Sequence, residues 1–544
     1  MKKNRIFIYL MITGLLAITA CNNDFMDRYP LTSLSDEVFF NTVNDLKTYT
    51  NQFYPALNTE WIFQDDNASD NQVHRDRQSY IWNLDPVPPS GGGWGKDDWL
   101  PIRRCNYFLQ RYHKATGNQS DINLYLGEIL FFKSLYYYVK VARFGDVPWL
   151  TRDLNVDSEE LFLPRDSRKL VVDSICENLD RAIRYLPEDM IQDRISRYAA
   201  LTLKSRICLF EGTFRKYHGL GDYENMLRQA ANAAQQVMAS GKFALYSTGD
   251  PEHDLHSFFQ LYYADMKESK EAIHYLNFVI GLRTHSKTRS VYEAVTGMSK
   301  DFAESFLMRT DGLPTALSPD YKGDATFDDE FINRDYRMKQ IIYTSDNPIL
   351  INADGSVVYE PTPLFNNFVP TGYRIYKLFS PRDKDREPYR CETSDPVYRY
   401  AEVLLNYAEA KAELGECDQA VIDQTINLIR DRVAMPRMTL PISFVDPNWP
   451  NWEVPVSPLI NEIRRERRIE LSVEGFRFND LKRWKAGKLM NNPKTYQGAR
   501  DPETGDYRIV YPGFTREWND KLYLYPIPTN EMIYNKALTQ NPGW

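Results

Sequence analysis

Helical periodicity recurs along almost the whole chain and sets its fold class. Apolar residues three and four positions apart mark one face of an amphipathic helix. In residues 36–57, Phe40, Val43, Leu46, Tyr49 and Phe53 follow this spacing. The same spacing predicts further helices at 122–143, 170–186, 198–211, 225–238, 398–414, 420–433 and 459–473.

Two of these helices have the pattern of a hairpin. Ala408, Ala412 and Ala420 are small enough to allow close contact between helices, and Gly415 stands where the first helix must end. This pattern resembles a tetratricopeptide hairpin. The spacing of the helices is irregular, so we do not expect an open array of identical repeats.

Between about residues 241 and 396 the pattern changes. Residues 271–278 alternate like a strand, and Gly, Pro, Asp and Asn turn signals surround them. We therefore predict a mainly α protein of tetratricopeptide-like helical hairpins with an irregular loop and short-strand region. No linker divides the chain, so we expect one body at 21–544, with a helical part to about 240, a loop part at about 241–396 and a helical and loop part at about 397–544.

The N-terminus has the layout of a secretory signal. Lys2, Lys3 and Arg5 precede an almost wholly apolar run at 6–16. The run ITAC at 18–21 resembles the lipobox of bacterial lipoproteins. We expect residues 1–20 to be removed and Cys21 to carry the lipid that anchors the chain to a membrane. The alternative is an ordinary cleaved signal in which Cys21 has no role.

Charge and cysteine content exclude several classes of function. The chain has 74 acidic and 66 basic residues, and its net charge of −8 gives no support to nucleic-acid binding. No later stretch approaches about 18 apolar residues, so we expect a soluble body after the signal. Apart from Cys21, five cysteines are widely spaced and form neither a disulfide framework nor a metal motif.

Several spaced motifs occur in order along the chain. Together they resemble those of the SusD/RagB family of outer-membrane nutrient-binding lipoproteins. They are RRCN at 103–106, a Tyr-rich helix closing in FGDVP at 144–148, RYAEVLL at 399–405, ERRIEL at 466–471 with EGFR at 474–477 and DLKRW at 480–484, PIP at 526–528 and QNPGW at 540–544.

The resemblance implies a lipid-anchored protein of the outer membrane that faces the cell exterior. Such a protein binds a glycan or oligosaccharide, without catalysis and without a cofactor, and delivers it to a SusC-like TonB-dependent outer-membrane β-barrel. Three alternatives stay open: a family member that binds peptides or another nutrient, a surface glycoside hydrolase, and a lid with no ligand contact of its own.

The charged motifs predict structure rather than catalysis. Carboxylates at 462, 466, 470 and 474 recur every four positions beside arginines, which indicates a structural ion-pair network. The pairs at 97–98 and 328–329 are adjacent in sequence, and adjacency does not place two carboxyl groups across a sugar. His253 and His256 lack the further ligands of a metal site. We therefore predict no catalytic residue and no metal.

Trp94 is the first candidate for contact with a glycan. The three glycines at 91–93 free the backbone, which predicts an exposed indole on a mobile turn, able to stack on a sugar ring. The resemblance places Trp94 where relatives can carry such an aromatic residue. The equal alternative is a Trp94 that packs inside the loop or faces the channel. Tyr292 is the second candidate, followed by Trp82, Arg75 and Tyr263.

Overall fold

Long helices form the N-terminal half of the molecule in the computed structural model, which describes residues 39–249, 269–448, 450 and 452–544. Side chains that accept hydrogen bonds from backbone N–H groups begin several of them: Thr42, Asn118, Ser167 and Ser196. The helices are α1 (Val43–Thr50, continued by a 3-10 turn at Asn51–Leu57), α2 (Lys96–Leu109), α3 (Gln119–Phe144), α4 (Arg168–Tyr185), α5 (Arg197–Tyr217) and α6 (Glu224–Ala239).

Consecutive helices pack on one another as the hairpin pattern predicted. α3 contacts α4, α4 contacts α5, and α5 contacts α6. Buried aliphatic, aromatic and alanine side chains of these helices form one continuous apolar core, which also takes in the later helix at 400–413. The mainly α fold predicted from the sequence is therefore confirmed.

Short elements replace long helices in the middle of the chain. The strand predicted at 271–278 is present as β2, and every strand pair in the described residues is antiparallel. The pairs are β1 (Gln72–His74) with β3 (Thr296–Met298), β2 (Ala272–Leu276) with β6 (Asp395–Arg399), β4 (Leu350–Ile351) with β5 (Val357–Val358), and β7 (Gln497–Arg500) with β8 (Tyr507–Ile509). The short helices are α7 (Lys287–Tyr292), α8 (Lys300–Glu304), α9 (Arg337–Ile341) and α10 (Asp383–Arg386).

The C-terminal helices depart from the predicted bounds in two places. The helix predicted at 420–433 is divided at Thr425, whose backbone leaves the helical conformation with a φ of −132° and a ψ of −86°. The helix predicted at 459–473 ends at Glu470. The elements are α11 (Tyr400–Glu413), α12 (Gln419–Asp423), α13 (Ile426–Arg432), α14 (Pro458–Glu470), α15 (Arg477–Arg483) and α16 (Thr529–Tyr534).

The hairpin predicted around Gly415 is present. Helix α11 ends at Glu413, and Gly415 has a φ of +73°, a conformation that glycine adopts without steric cost. Ala408 and Ala412 are buried on α11, which packs on α6 and α14, whereas the expectation of a close helix contact at Ala420 is wrong, because Ala420 is exposed. Close helix contact at small residues therefore connects the C-terminal part of the chain to the N-terminal helices.

Helix α14 and the turn after it hold a buried ion-pair network, as the carboxylate spacing predicted. Glu470 accepts hydrogen bonds from Arg432 and Arg399, each with a shortest contact of 2.7 Å, and from Arg337 at 3.1 Å. The partners of Glu470 come from distant segments rather than from neighbouring positions of α14. Similarly, Arg477 donates to Asp70 Oδ1 at 2.7 Å across 407 positions of sequence.

The described residues contain no helix with the length and hydropathy needed to cross a membrane.

Candidate functional site

Strand β1 brings Arg75 next to the segment that contains Tyr292. β1 pairs with β3, and the Arg75 backbone N–H donates to the Val295 carbonyl at 2.8 Å. The Arg75 side chain is exposed and forms an ion pair with Asp76 at 2.9 Å. Two of the residues singled out from the sequence therefore lie on neighbouring segments.

Tyr292, Glu360, Arg374 and Arg386 form a contact group, which we name the Tyr292 cluster. The Tyr292 hydroxyl donates to Glu360 Oε1 at 2.7 Å, and Arg374 forms an ion pair with Glu360 Oε2 at 3.1 Å. The guanidinium carbons of Arg374 and Arg386 lie 4.5 and 4.4 Å from the centroid of the Tyr292 ring. Cation–π attraction and the hydrogen bond thus hold a partly exposed ring in place.

Short helices and one buried ion pair position this cluster. α7 ends at Tyr292 and packs on α10, which carries Arg386. At the start of α7, Lys287 is buried and forms an ion pair with Asp395 of β6. On the other side of Tyr292, the Phe379 ring stacks with a centroid distance of 6.1 Å. The ring is therefore supported by a rigid scaffold rather than by a free loop.

Two exposed aromatic side chains lie on loops that meet the start of α7. The Ser286 backbone N–H donates to Glu60 Oε1 at 2.9 Å, and the Tyr389 backbone N–H donates to the Ser286 hydroxyl at 2.9 Å. Trp61, next to Glu60, is 53% exposed, and Tyr389 is 74% exposed. Exposed aromatic rings with charged neighbours can contact a ligand that has both an apolar face and polar groups.

Sequence reasoning missed Trp61 and Tyr389. Trp61 is followed by Ile62 and Phe63, which makes it look like part of an apolar core segment, and Tyr389 follows Pro388 in a charged run. Neither position carries a local signal of function. They could be found only from the tertiary contacts at Ser286, which join segments that are more than a hundred positions apart.

The Trp82 side chain lies in the interior of the molecule. Its ring is buried and packs edge-on against Tyr496 and Tyr511, at centroid distances of 5.6 and 5.2 Å. The Tyr511 hydroxyl donates to the His74 carbonyl, and burial raises the pKa of that hydroxyl, which keeps it protonated. The proposal of a sugar-contacting Trp82 is therefore wrong for this structure, because packing under β1 occupies the ring.

The prediction of an exposed Trp94 is also wrong. The indole is 5% exposed and packs edge-on against Phe144 at 4.9 Å and Trp99 at 5.3 Å. The glycines before it have positive φ angles and, lacking side chains, let Lys140 and Arg143 of α3 donate to their carbonyls. The glycines thus bring the backbone close to α3 instead of making it mobile, which agrees with the loop-packing alternative.

The adjacent carboxylates have structural contacts. Asp98 accepts a hydrogen bond from the Gly95 backbone N–H at 2.9 Å at the start of α2. Asp329 accepts one from the Thr326 hydroxyl at 2.7 Å. These contacts agree with the interpretation of both pairs as loop and helix-terminus charges.

Four residues considered from the sequence lie outside the described residues: Cys21, His253, His256 and Tyr263. Within the described ranges, no group of three or more His, Cys, Asp or Glu side chains could hold a metal ion.

Comparisons with known proteins agree with the motifs. A model of the SusD family matches residues 258–544, and a second model, described as starch-binding associating with outer membrane, matches residues 24–209. The first match alone spans more than half of the chain. The chain belongs to the SusD/RagB family.

Individual relatives cover nearly the whole chain. A SusD-like protein of Formosa agariphila, named P2, is 23% identical, and the alignment covers 100% of both chains. A crystal structure of a SusD-like protein from Bacteroides fragilis is 25% identical with a TM-score of 0.75, covering 95% of this chain and 100% of that one. A second Bacteroides fragilis structure, of a SusD-like carbohydrate-binding protein, is 20% identical with a TM-score of 0.71, covering 92% and 100%.

Proposed function

We propose that this chain binds a glycan or oligosaccharide at the cell surface without catalysis. The observation that carries the proposal is the Tyr292 cluster, a partly exposed ring fixed between charged groups, with exposed Trp61 and Tyr389 at the start of the same helix. Family membership and the fold shared with a SusD-like carbohydrate-binding protein support it.

The chemistry of these groups suits sugars. The face of an aromatic ring stacks on the C–H face of a sugar, while Arg and Glu side chains exchange hydrogen bonds with hydroxyl groups. Few fixed polar contacts on an open surface favour modest affinity, because ordering the ligand offsets part of the contact energy. Modest affinity would suit a protein that must release its ligand to a partner.

Binding of the mature chain to a panel of oligosaccharides and peptides tests this proposal. We expect selective retention of a glycan, and about a tenfold loss of affinity in Tyr292→Ala. Tyr534→Ala is the matched control, because Tyr534 is an exposed tyrosine on α16 and makes no contact with the Tyr292 cluster. Selective peptide binding would support the alternative of a family member that binds peptides. Binding to nothing in the panel would favour the alternative of a lid without ligand contacts.

The absence of catalysis is a separate part of the proposal. Asp98 and Asp329 already serve as local hydrogen-bond acceptors, which leaves neither adjacent pair arranged as an acid and a base across a ligand. The purified protein is expected to release no new reducing ends from any glycan that it binds. Release of reducing ends would instead support the surface glycoside hydrolase.

We further propose that Cys21 carries a lipid that holds the protein on the outer membrane, facing the exterior. The description of the second family model, which associates its members with the outer membrane, supports this location. In the natural host, Cys21→Ala should release the protein from the membrane fraction. Continued retention of the variant would contradict lipid anchoring through Cys21.

The proposed partner is a SusC-like TonB-dependent β-barrel that receives the glycan. Extraction of the natural host in mild detergent, followed by purification of this chain, should recover a large outer-membrane β-barrel in a stable ratio. Recovery of the chain alone under several detergents would count against the partnership. Glycan uptake by cells that carry Tyr292→Ala would then distinguish a ligand-binding role from that of a lid.

A further inference from the structure

We infer that the Tyr292 cluster receives the anionic group of an acidic glycan, a carboxylate or a sulfate ester. This inference rests on the proposed glycan binding and specifies its substrate class. Its starting point is a surplus of positive charge in the cluster: two guanidinium groups lie on one ring, and one carboxylate, Glu360, accompanies them.

Both carboxylate oxygens of Glu360 already have partners within the cluster. Its Oε1 accepts from the Tyr292 hydroxyl, and its Oε2 pairs with Arg374. Arg386 has no ion pair with any carboxylate of the described chain, although it is only partly buried. The two guanidinium carbons lie within about 9 Å of each other, the sum of their distances to the ring centroid. An uncompensated positive charge therefore stands at the ring.

The acidic residues near Arg386 do not compensate it. Asp385 accepts hydrogen bonds from Ser380 and Arg382, and Glu387 pairs with Arg390. On α7, Glu293 after Tyr292 pairs with Arg289. Asp383 at the start of α10 is exposed and forms no ion pair with Arg386. The local carboxylates thus either have other partners or remain in solvent.

A guanidinium group that stacks on a ring keeps its hydrogen-bond donors available. Stacking uses the flat face of the group, whereas the N–H donors point outward in its plane. Those donors fit the two oxygens of a carboxylate or a sulfate in a bidentate arrangement. Arg386 on Tyr292 is therefore held by the ring with donors that can meet the charged substituent of a sugar.

A second arginine, which follows β1, repeats this arrangement. The Arg77 guanidinium lies 3.7 Å from the centroid of the half-exposed Phe514 ring and also has no ion pair with a carboxylate of the described chain. Arg77 follows β1, which pairs with β3 a few positions after Tyr292. In the interior of the molecule, by contrast, arginines such as Arg399 and Arg432 pair with carboxylates.

The net charge of the molecule makes the surplus informative. A net charge of −8 gives anions no general attraction to the molecule, so binding of an acidic ligand needs a local group of positive charges. Arg374 and Arg386 form such a group at the Tyr292 ring. The attraction should weaken as salt is added, because exposed charges are screened beyond about 10 Å at 0.1 M ionic strength.

Calorimetric titration of the mature chain with matched oligosaccharides tests the inference. The probes are oligogalacturonate, its methyl-esterified form, a sulfated galactan oligosaccharide and the same galactan without sulfate. We expect at least one acidic probe to bind about tenfold tighter than its neutral match, and the difference to shrink in high salt. Preference for the carboxylate or for the sulfate pair identifies which anionic group is recognised.

Variants of Arg386 show whether affinity depends on the positive charge of this side chain or on its shape. Arg386→Gln should lower the preference for the acidic probe over its neutral match about tenfold, because the lost charge acts on the acidic probe alone, whereas a change in the position of the ring affects both probes. Arg386→Lys keeps the charge and should restore part of the loss. Arg390→Gln is the matched control, since Arg390 is exposed, lies on the same loop and pairs with Glu387.

The two proposals fail in different ways. Equal or tighter binding of the neutral probes, with no selective effect of Arg386→Gln, overturns the acidic substrate and leaves glycan binding in place. Failure of every oligosaccharide, acidic or neutral, to bind overturns the glycan-binding proposal itself. Thermal unfolding of each variant checks that the protein is folded at the temperature of the binding measurement.

Discussion

At the scale of single residues, two of the environments in which arginine occurs differ in what they can do. Arg432 and Arg399 are buried against Glu470, where each charge is neutralised by its partner. Arg386 and Arg77 lie on aromatic rings without a carboxylate partner in the described chain. The first kind stabilises a particular arrangement of segments, and the second kind offers donors to a ligand.

Replacing Glu470 by Gln tests whether the buried pairs between arginine and Glu470 stabilise the fold. The substitution leaves several buried guanidinium groups without their shared countercharge, so the free energy of unfolding should fall by about 3 to 5 kcal/mol. Chemical denaturation measures this change. The control is Glu416→Gln, because Glu416 pairs with Lys411 and Arg228 at the surface, where solvent screens the pairs, and its loss should have a much smaller effect. Similar small losses in both variants would show that the buried network is not stabilising.

Replacing Trp94 by Ala tests the correction made for that residue. The buried indole fills space between Phe144 and Trp99, so its removal should lower the free energy of unfolding by about 3 to 5 kcal/mol. The folded variant should keep the glycan affinity of the native chain. A large loss of affinity with unchanged thermal stability would instead restore Trp94 as a ligand-contacting residue.

At the scale of elements, the sequence predicted what local pattern controls. Helix α3 was predicted at 122–143 and spans Gln119–Phe144, because its apolar residues recur along its whole length. The helix predicted at 420–433 is divided at Thr425, where the backbone leaves the helical conformation, and an apolar period does not record such a break. Periodicity therefore located the elements and missed their interruptions.

The residues of the candidate site were harder to predict from the sequence, because tertiary contacts bring them together. Tyr292 was singled out from the sequence, but Glu360, which fixes its hydroxyl, lies 68 positions away. Arg374 and Arg386 approach the ring from still later segments. Trp94 was misjudged because a run of glycines allows either mobility or close backbone approach, and only the position of α3 decides between them.

At the scale of the whole molecule, buried titratable groups couple the fold to pH. Burial lowers the pKa of His274 to about 4, and neither ring nitrogen has a hydrogen-bond partner among the described residues. Burial would raise the pKa of Glu474, but Arg399 and Lys377 together lower it to about 2. Both groups bind protons more readily in the unfolded chain than in the folded one.

Stability should therefore fall on acidification in two steps. His274 stays neutral in the folded protein, while the unfolded chain binds a proton there below about pH 6.5, so stability is lost from that pH down to about 4. Paired carboxylates such as Glu474 add a second loss below about pH 4.5. Thermal unfolding across this range measures both steps. His274→Phe should remove part of the first step only, and an unchanged pH profile in this variant would contradict the assignment.

The pairing of Asp70 with Arg477 has a consequence for the order in which the protein can fold. Asp70 is synthesised early, and the arginine that neutralises it follows 407 positions later. Until that late segment emerges, burying Asp70 would leave a carboxylate without a countercharge, which is strongly unfavourable. The surroundings of Asp70 therefore reach their final stability only after the C-terminal part has been synthesised. If the chain is exported as proposed, late completion of this part of the interior favours passage through a secretion channel before folding ends.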